Sequence, residues 1–156
     1  MPILICYDGS PSAVHALSLA RQTLDHQHAI LLHVWNPPAD VLSDAFSTKN
    51  GESGPSYAEL EALALERARV VTDGGSKLAT TLGLDIEVRA ERNDSSIWQT
   101  ILQIADAVEA ELIVIGTRGT TAVESNLLGS VSNALVHHSE RPVVVVPPGR
   151  SSLTGS

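Results

Sequence analysis

Short apolar runs alternate with longer amphipathic segments along the whole chain. The run over 2–7 is continuously apolar, which is typical of a strand covered on both faces of a parallel sheet. The run over 85–90 instead alternates apolar and polar positions, which favours a strand at the edge of a sheet. This pattern predicts five strands, at 2–7, 29–34, 85–90, 111–115 and 142–146.

Apolar residues at helical spacing fill most of the segments between these strands. After the first strand, Ser10 is predicted to be the N-cap of a helix and Pro11 its first residue. A helix after the third strand is predicted to be capped by Asp94 or Ser95, and a short helix covers 131–138.

The longest predicted helix begins with a capping box, in which the side chains of Ser56 and Glu59 each bind a main-chain N–H at the helix terminus. Its apolar stripe continues to Gly83, a predicted C′ residue. Gly74 and Gly75 lie inside this helical pattern, and Gly75 is on the stripe. We favour close packing of Gly75 against a neighbour over a break into two helices.

The alternation of strands and helices predicts the fold class: α/β, a doubly wound five-stranded parallel sheet with strand order 3-2-1-4-5 and helices on both faces. One domain, over 1–148, is expected for a chain of 156 residues. The segment 35–55 has no periodicity and collects proline, glycine and asparagine, so a long mobile loop is expected there. The segment 149–156 is expected to be a disordered tail.

Composition and charge narrow the classes of partner. The formal net charge is −8, and nucleic acid is not an expected partner because its binding depends on neutralising phosphates with cations. No apolar run approaches the ~20 residues of a membrane span, and no signal-peptide pattern occurs, so a cytoplasmic protein without membrane association is expected. Cys6 is the only cysteine and is interpreted as a small buried hydrophobe. The six histidines match no metal-binding pattern, so no metal site made by the protein alone is expected.

Three glycines, Gly116, Gly119 and Gly129, lie between the predicted fourth strand and the helix at 131–138. Glycine lets a ligand approach the main chain closely, and a helix N-terminus offers unpaired N–H groups to an anion. In the predicted strand order, ligands bind where the chain reverses direction, at the carboxyl ends of strands 1 and 4. The segment 8–10 therefore faces the glycines across one crevice, which is predicted to bind phosphate.

The spacing of these glycines differs from the common nucleotide-binding motifs, since neither GxGxxG nor the Walker pattern is present. The chain has Gly116-x-x-Gly119, nine residues, and then Gly129-Ser130. In this context of strand and helix, the pattern resembles the ATP-binding motif of the universal stress protein family. The resemblance covers almost the whole chain, through the blocks ICYDGS at 5–10, AELIVIGTRG at 110–119, GSVS at 129–132 and RPVVVVP at 141–147.

The resemblance implies roles for individual residues. The glycines at 116 and 119 would let the loop close on the ribose and phosphates, and 129–132 would present N–H groups and hydroxyls to the triphosphate. Asp8 would lie at the nucleoside, and Val34 would pack against adenine. The implied ligands are ATP and Mg²⁺, the metal arriving with the nucleotide and contacting the Ser130 hydroxyl. The full set of implied nucleotide-binding residues is Asp8, Gly9, Ser10, Val34, Gly116, Arg118, Gly119, Gly129, Ser130, Val131 and Ser132.

The insert at 120–128 has no lysine or arginine and contains Glu124, whereas the corresponding loops of the family are often basic. Two interpretations of the neighbouring Arg118 stay open. It either reaches the γ-phosphate or is a solvated loop residue.

Four consecutive valines, Val143, Val144, Val145 and Val146, are predicted to lie at a sheet edge, where they would template pairing with a second chain. The family resemblance also suggests a homodimer. The leading functional hypothesis is an ATP-binding, homodimeric stress-response regulator or sensor. The alternatives are a slow ATPase or a phosphate or nucleotidyl transferase using the same loop, and an interaction module that binds no nucleotide. No residue is indicated as catalytic.

Overall fold

A computed structural model describes residues 1–23, 28–38, 55–117 and 129–149. Within these segments the chain forms five strands and four helices. The strands are β1 (Ile3–Cys6), β2 (Ala29–Trp35), β3 (Ile86–Arg92), β4 (Leu112–Gly116) and β5 (Val143–Val146). The helices are α1 (Pro11–Thr23), α2 (Tyr57–Thr81), α3 (Ile97–Ala107) and α4 (Ser130–His138).

The strands form one parallel sheet in the order β3-β2-β1-β4-β5. The predicted α/β fold class and strand order are confirmed. Because β1 pairs with β2 on one side and with β4 on the other, the chain reverses direction between β1 and β4. In sheets of this type, that reversal opens a crevice at the carboxyl ends of the two strands.

Each face of the sheet has its own apolar core. On one face, Ile5, Leu31 and Val114 pack with residues of α1 and α2. On the other face, Leu4, Ile30 and Ile113 pack with residues of α3 and α4. Since successive side chains of a strand point to opposite faces, a central strand covered on both sides must be apolar throughout. All four residues of β1 are accordingly buried, whereas burial alternates over the first three residues of both β3 and β5.

Helix α2 is continuous through its two glycines and ends where the sequence predicted. The helix runs without interruption over 25 residues from an N-terminal capping box made by Ser56 and Glu59. Gly75 is buried, and a Cβ built on it would lie 2.8 Å from the Leu31 Cδ1. Gly83 has φ +75°, the left-handed conformation expected of a C′ residue. Close packing at Gly75 and the end of the helix are both confirmed.

Most predicted boundaries differ from the structure by one or two residues, and two of these differences have a visible cause. The predicted N-cap of α3 is wrong, because Ser96 takes this place and its Oγ accepts the main-chain N–H of Gln99 at 3.3 Å. Asp94 instead pairs with the Arg92 guanidinium, and the Ser95 N–H donates to Asn93 Oδ1 at 3.1 Å. Strand β2 extends through Trp35, one residue into the segment predicted as a loop, because the Trp35 carbonyl accepts the Asn93 N–H. Residues 39–54 of that segment and 150–156 of the predicted tail lie outside the described residues.

No described helix is both long enough and apolar enough to cross a membrane.

Candidate functional site

The turn after β1 forms one wall of the crevice. The Asp8 Oδ1 accepts the Ser10 N–H at 2.9 Å, and Gly9 between them has φ +81°, which favours glycine. The Ser10 Oγ accepts the Ala13 N–H at 3.3 Å, so this side chain caps α1 as predicted. Asp8 is half-buried and Ser10 is buried. The turn therefore holds a carboxylate at the carboxyl end of a central strand.

Strand β4 supplies the opposite wall. Gly116 is its last residue, opposite Val146 of β5. A Cβ built on Gly116 would lie 2.3 Å from the Ser12 Oγ of α1, so this position has no room for a side chain. The next residue, Thr117, donates its N–H to the Val146 carbonyl at 2.8 Å. The sequence pattern indicates Gly116 only as a residue that lets a ligand approach the main chain. The structure gives a second reason for glycine here, which is the close packing of α1 on β4.

The N-terminus of α4 lies beside Thr117. Its N-cap is Gly129, which has no side chain to bind the helix amides. The N–H groups of Ser130, Val131 and Ser132 have no hydrogen-bond partner among the described residues. The Ser132 hydroxyl donates within the protein, to the carbonyls of Gly129 at 3.0 Å or Thr117 at 3.2 Å. An uncapped helix terminus of this kind is suited to bind an anion.

His33, on β2, forms a hydrogen bond to the main chain directly before the turn at 8–10. Its Nδ1 donates to the Tyr7 carbonyl oxygen at 2.9 Å, directly before Asp8. Burial lowers the pKa of His33, and the hydrogen bond to Tyr7 and the charge of Asp8 oppose this shift only in part. No sequence pattern predicted this contact, apart from the presence of a histidine near the end of a strand. Val34, the next residue, is half-buried and packs against the core on the face of α3 and α4.

The described cations contribute little to this edge of the sheet. Arg92 is the one described lysine or arginine that ends a strand, and its guanidinium contacts Asp94, Glu61 at 3.0 Å and Tyr57 at 2.8 Å.

Burial and the nearby charge of Asp8 raise the pKa of the Cys6 thiol to about 12, so it stays protonated, which agrees with its interpretation as a buried hydrophobe. No cluster of three or more His, Cys, Asp or Glu suited to a metal occurs among the described residues.

The structure places most of the predicted site residues on neighbouring segments. The turn at 8–10, Gly116 and 129–132 meet at the carboxyl ends of β1 and β4, and Val34 lies one strand away on β2. Arg118, Gly119 and the insert at 120–128 lie outside the described residues. Thr117 was part of a motif block, but its contacts with Gly129, Ser132 and Val146 were not predicted.

Comparison with known proteins agrees with this architecture. The model of the Universal stress protein family matches residues 1–147. A curated relative from Thermus aquaticus, named "Universal stress protein in QAH/OAS sulfhydrylase 3'region", is 33% identical over 151 residues, covering 92% of this chain and 96% of that protein.

Two solved structures have the same fold. The structure of hypothetical protein MJ0577, whose biochemical function was assigned from its structure, has a TM-score of 0.75 at 26% identity, covering 96% of this chain and 97% of that one. The universal stress protein from Archaeoglobus fulgidus in complex with dAMP has a TM-score of 0.66 at 20% identity, covering 94% and 97%. The family match over nearly the whole chain and the Thermus relative show that this chain belongs to the universal stress protein family.

Proposed function

We propose that this protein binds ATP with Mg²⁺ in the crevice between β1 and β4, and that it acts as a homodimeric, cytoplasmic regulator or sensor in the stress response. The observation that carries the proposal is the uncapped N-terminus of α4. Three of its N–H groups have no partner among the described residues, and the helix begins beside the carboxyl end of β4, where the Gly129 N–H donates to the Thr117 carbonyl.

The phosphates are assigned to this helix terminus. The amides of Ser130, Val131 and Ser132 supply donors, and the positive end of the helix dipole favours negative charge. Main-chain donors suit a chain with a formal net charge of −8, because they bind an anion without a cluster of basic side chains. Arg118 is assigned to the γ-phosphate as an additional contact.

The nucleoside is assigned to the other side of the crevice. Asp8 offers a carboxylate, which accepts hydrogen bonds from ribose hydroxyls, and the half-buried Val34 offers an apolar surface to adenine. The exposed Ser130 hydroxyl is a ligand for Mg²⁺ that arrives with the triphosphate. The dAMP bound to the Archaeoglobus fulgidus relative supports an adenine nucleotide as the ligand.

The outer edge of β5 supports the homodimer. The Pro142 carbonyl accepts the Ile113 N–H and the Val146 carbonyl accepts the Thr117 N–H, which directs the main-chain groups of Val143 and Val145 away from the sheet. No described strand pairs with this edge, and the Val144 side chain is 43% exposed. An exposed, apolar strand edge is a template for pairing with a second chain.

The test is to purify the native protein, release its bound small molecules and identify them by mass spectrometry, followed by calorimetric titration with ATP, ADP, AMP and GTP. Tight binding of ATP over GTP supports the proposal, and a failure of every adenine nucleotide to bind in the presence of Mg²⁺ refutes it. Measuring ATP turnover against a Ser130→Ala control distinguishes a regulator from a slow ATPase or a transferase.

A further inference from the structure

Thr117 carries a buried hydroxyl that no group of the described residues satisfies. Among the residues that the structure describes, its Oγ1 is the one buried side-chain nitrogen or oxygen without a hydrogen-bond partner. Buried polar atoms are almost always paired, because leaving one unpaired in the interior is unfavourable. The hydroxyl of Thr117 therefore needs an explanation.

The hydroxyls of the buried residues Thr72 and Thr100 are paired with nearby main-chain carbonyls. The Thr72 Oγ1 donates to the Ala68 carbonyl at 3.1 Å, and the Thr100 Oγ1 donates to the Ser96 carbonyl at 3.0 Å. Both bonds run to the residue four positions earlier in a helix. Thr117 directly follows a strand, so this local solution is not open to it.

The main chain of Thr117 is held by its neighbours. Its N–H donates to the Val146 carbonyl at 2.8 Å, and its own carbonyl accepts the Gly129 N–H and is one of two acceptors within reach of the Ser132 hydroxyl. These contacts tie the residue to the end of β5 and to the first turn of α4. The unpaired hydroxyl is thus part of a well-supported segment.

The direction of the side chain follows from the alternation along β4. A Cβ at Gly116 would point at Ser12, on the face of α1, whereas Ile115 packs on the face of α3 and α4. Thr117, one residue after Gly116, therefore turns to the face of α4. This is the helix whose first three N–H groups have no partner among the described residues.

We propose that the Thr117 hydroxyl donates a hydrogen bond to a phosphate oxygen of the bound nucleotide, next to the amides at the N-terminus of α4. This assignment rests on the proposed function. A hydroxyl adds a donor that does not depend on a basic side chain, and an anionic oxygen is a strong acceptor for it. Thr117 is then a phosphate-binding residue whose unfavourable burial in the free protein is relieved by the ligand.

The test compares Thr117→Val, which has the same shape without the hydroxyl, with Thr117→Ser, which keeps the hydroxyl. Calorimetric titration with AMP and ATP is expected to show a roughly ten- to hundredfold loss of affinity in Thr117→Val and little change in Thr117→Ser. The affinity for adenosine, which has no phosphate, is expected to stay unchanged in both. Because the unpaired hydroxyl is removed, the melting temperature of the nucleotide-free Thr117→Val protein should rise by about 2–4 °C.

Thr100→Val is the matched control, since its hydroxyl is already paired within α3. It should lower the melting temperature and leave nucleotide affinity unchanged. Wild-type affinity in Thr117→Val overturns the assignment and leaves the proposed function standing. An equal loss of affinity for adenosine and AMP also overturns it, because the hydroxyl would then contact the nucleoside. If the wild-type protein binds no adenine nucleotide, the proposed function itself fails.

Discussion

Ser12 lies directly against Gly116, so that a Cβ at position 116 would be 2.3 Å from the Ser12 Oγ and 2.9 Å from its carbonyl carbon. The contact joins the first turn of α1 to the carboxyl end of β4. Helix α1 begins directly after the turn that forms one wall of the crevice, and β4 supplies the other wall. The contact therefore holds the two walls close together.

Gly116→Ala should lower the free energy of unfolding by about 1–3 kcal/mol, because the added methyl group overpacks a buried contact. Urea denaturation measures this loss. Combining Gly116→Ala with Ser12→Gly removes the nearest side-chain atoms but not the carbonyl carbon, so we expect partial recovery. Strictly additive effects of the two substitutions would contradict a direct contact.

The adjacent glycines of α2 should respond to alanine in opposite ways. A Cβ at Gly74 meets no atom within 4 Å, and Gly74→Ala should stabilise the protein by up to about 1 kcal/mol through helix propensity. A Cβ at Gly75 would lie 2.8 Å from Leu31 and 3.0 Å from Tyr7, so Gly75→Ala should destabilise it. Thermal denaturation of the two variants checks the prediction, and equal shifts of the same sign would refute it.

The phosphate-binding role of the α4 amides can be separated from the role of the Ser130 hydroxyl. Ser130 is the first helical residue, and the preceding Gly129 has φ −60° and ψ 157°, which a following proline tolerates. Ser130→Pro therefore removes the N–H without breaking the helix, whereas Ser130→Ala removes only the hydroxyl. We expect Ser130→Pro to weaken binding of ATP about tenfold or more relative to Ser130→Ala, measured by calorimetry. Equal affinities of the two variants would show that this amide does not bind phosphate.

The stability of the protein should depend on pH through His33. Burial lowers its pKa in the folded state, so near pH 6 the unfolded chain binds more protons at this residue. The contribution of His33 to the free energy of unfolding is complete above 6.5, the ordinary pKa of histidine, and is lost as the pH falls from there through the lowered pKa of the folded state. His33→Asn keeps a hydrogen-bond donor near the Tyr7 carbonyl, but the asparagine side chain does not titrate in this pH range. Urea denaturation should show that the free energy of unfolding falls more in the wild type than in His33→Asn between about pH 7 and about pH 5. Parallel pH profiles of the two proteins would contradict a role of His33 in this pH dependence.

Dimerisation through β5 should be sensitive to proline at one position. The Val145 N–H points away from β4, so Val145→Pro leaves the pairing of β5 with β4 intact and removes a donor to a partner strand. Light scattering is expected to give a dimer for the wild type and a monomer for the variant. A dimeric Val145→Pro protein would place the interface elsewhere, and a monomeric wild type at micromolar concentration would remove the homodimer from the proposal.

Local sequence patterns were sufficient for most of the fold. The continuous run of β1 indicated a central strand and the alternating run of β3 an edge strand, and the capping box at Ser56 predicted the start of α2. The edge position of β5, whose run of valines is continuous, followed only from the predicted strand order. Local patterns do not determine the N-cap of α3, because Asp94, Ser95 and Ser96 are all good cap residues. The pairing of Asp94 with Arg92 and the contact of Ser95 with Asn93 decide between them, and both depend on how β3 ends.

The sequence by itself determined the order of the elements, the strand order and the two segments that form the crevice, because periodicity and glycine spacing act over short stretches of chain. Only the tertiary structure decided that the packing of Ser12 requires a glycine at 116, that the His33 side chain binds the carbonyl of Tyr7, and that the Thr117 hydroxyl is buried without a partner in the described part of the chain. Each of these depends on which atoms of distant segments approach one another when the helices pack on the sheet. No local pattern contains that information.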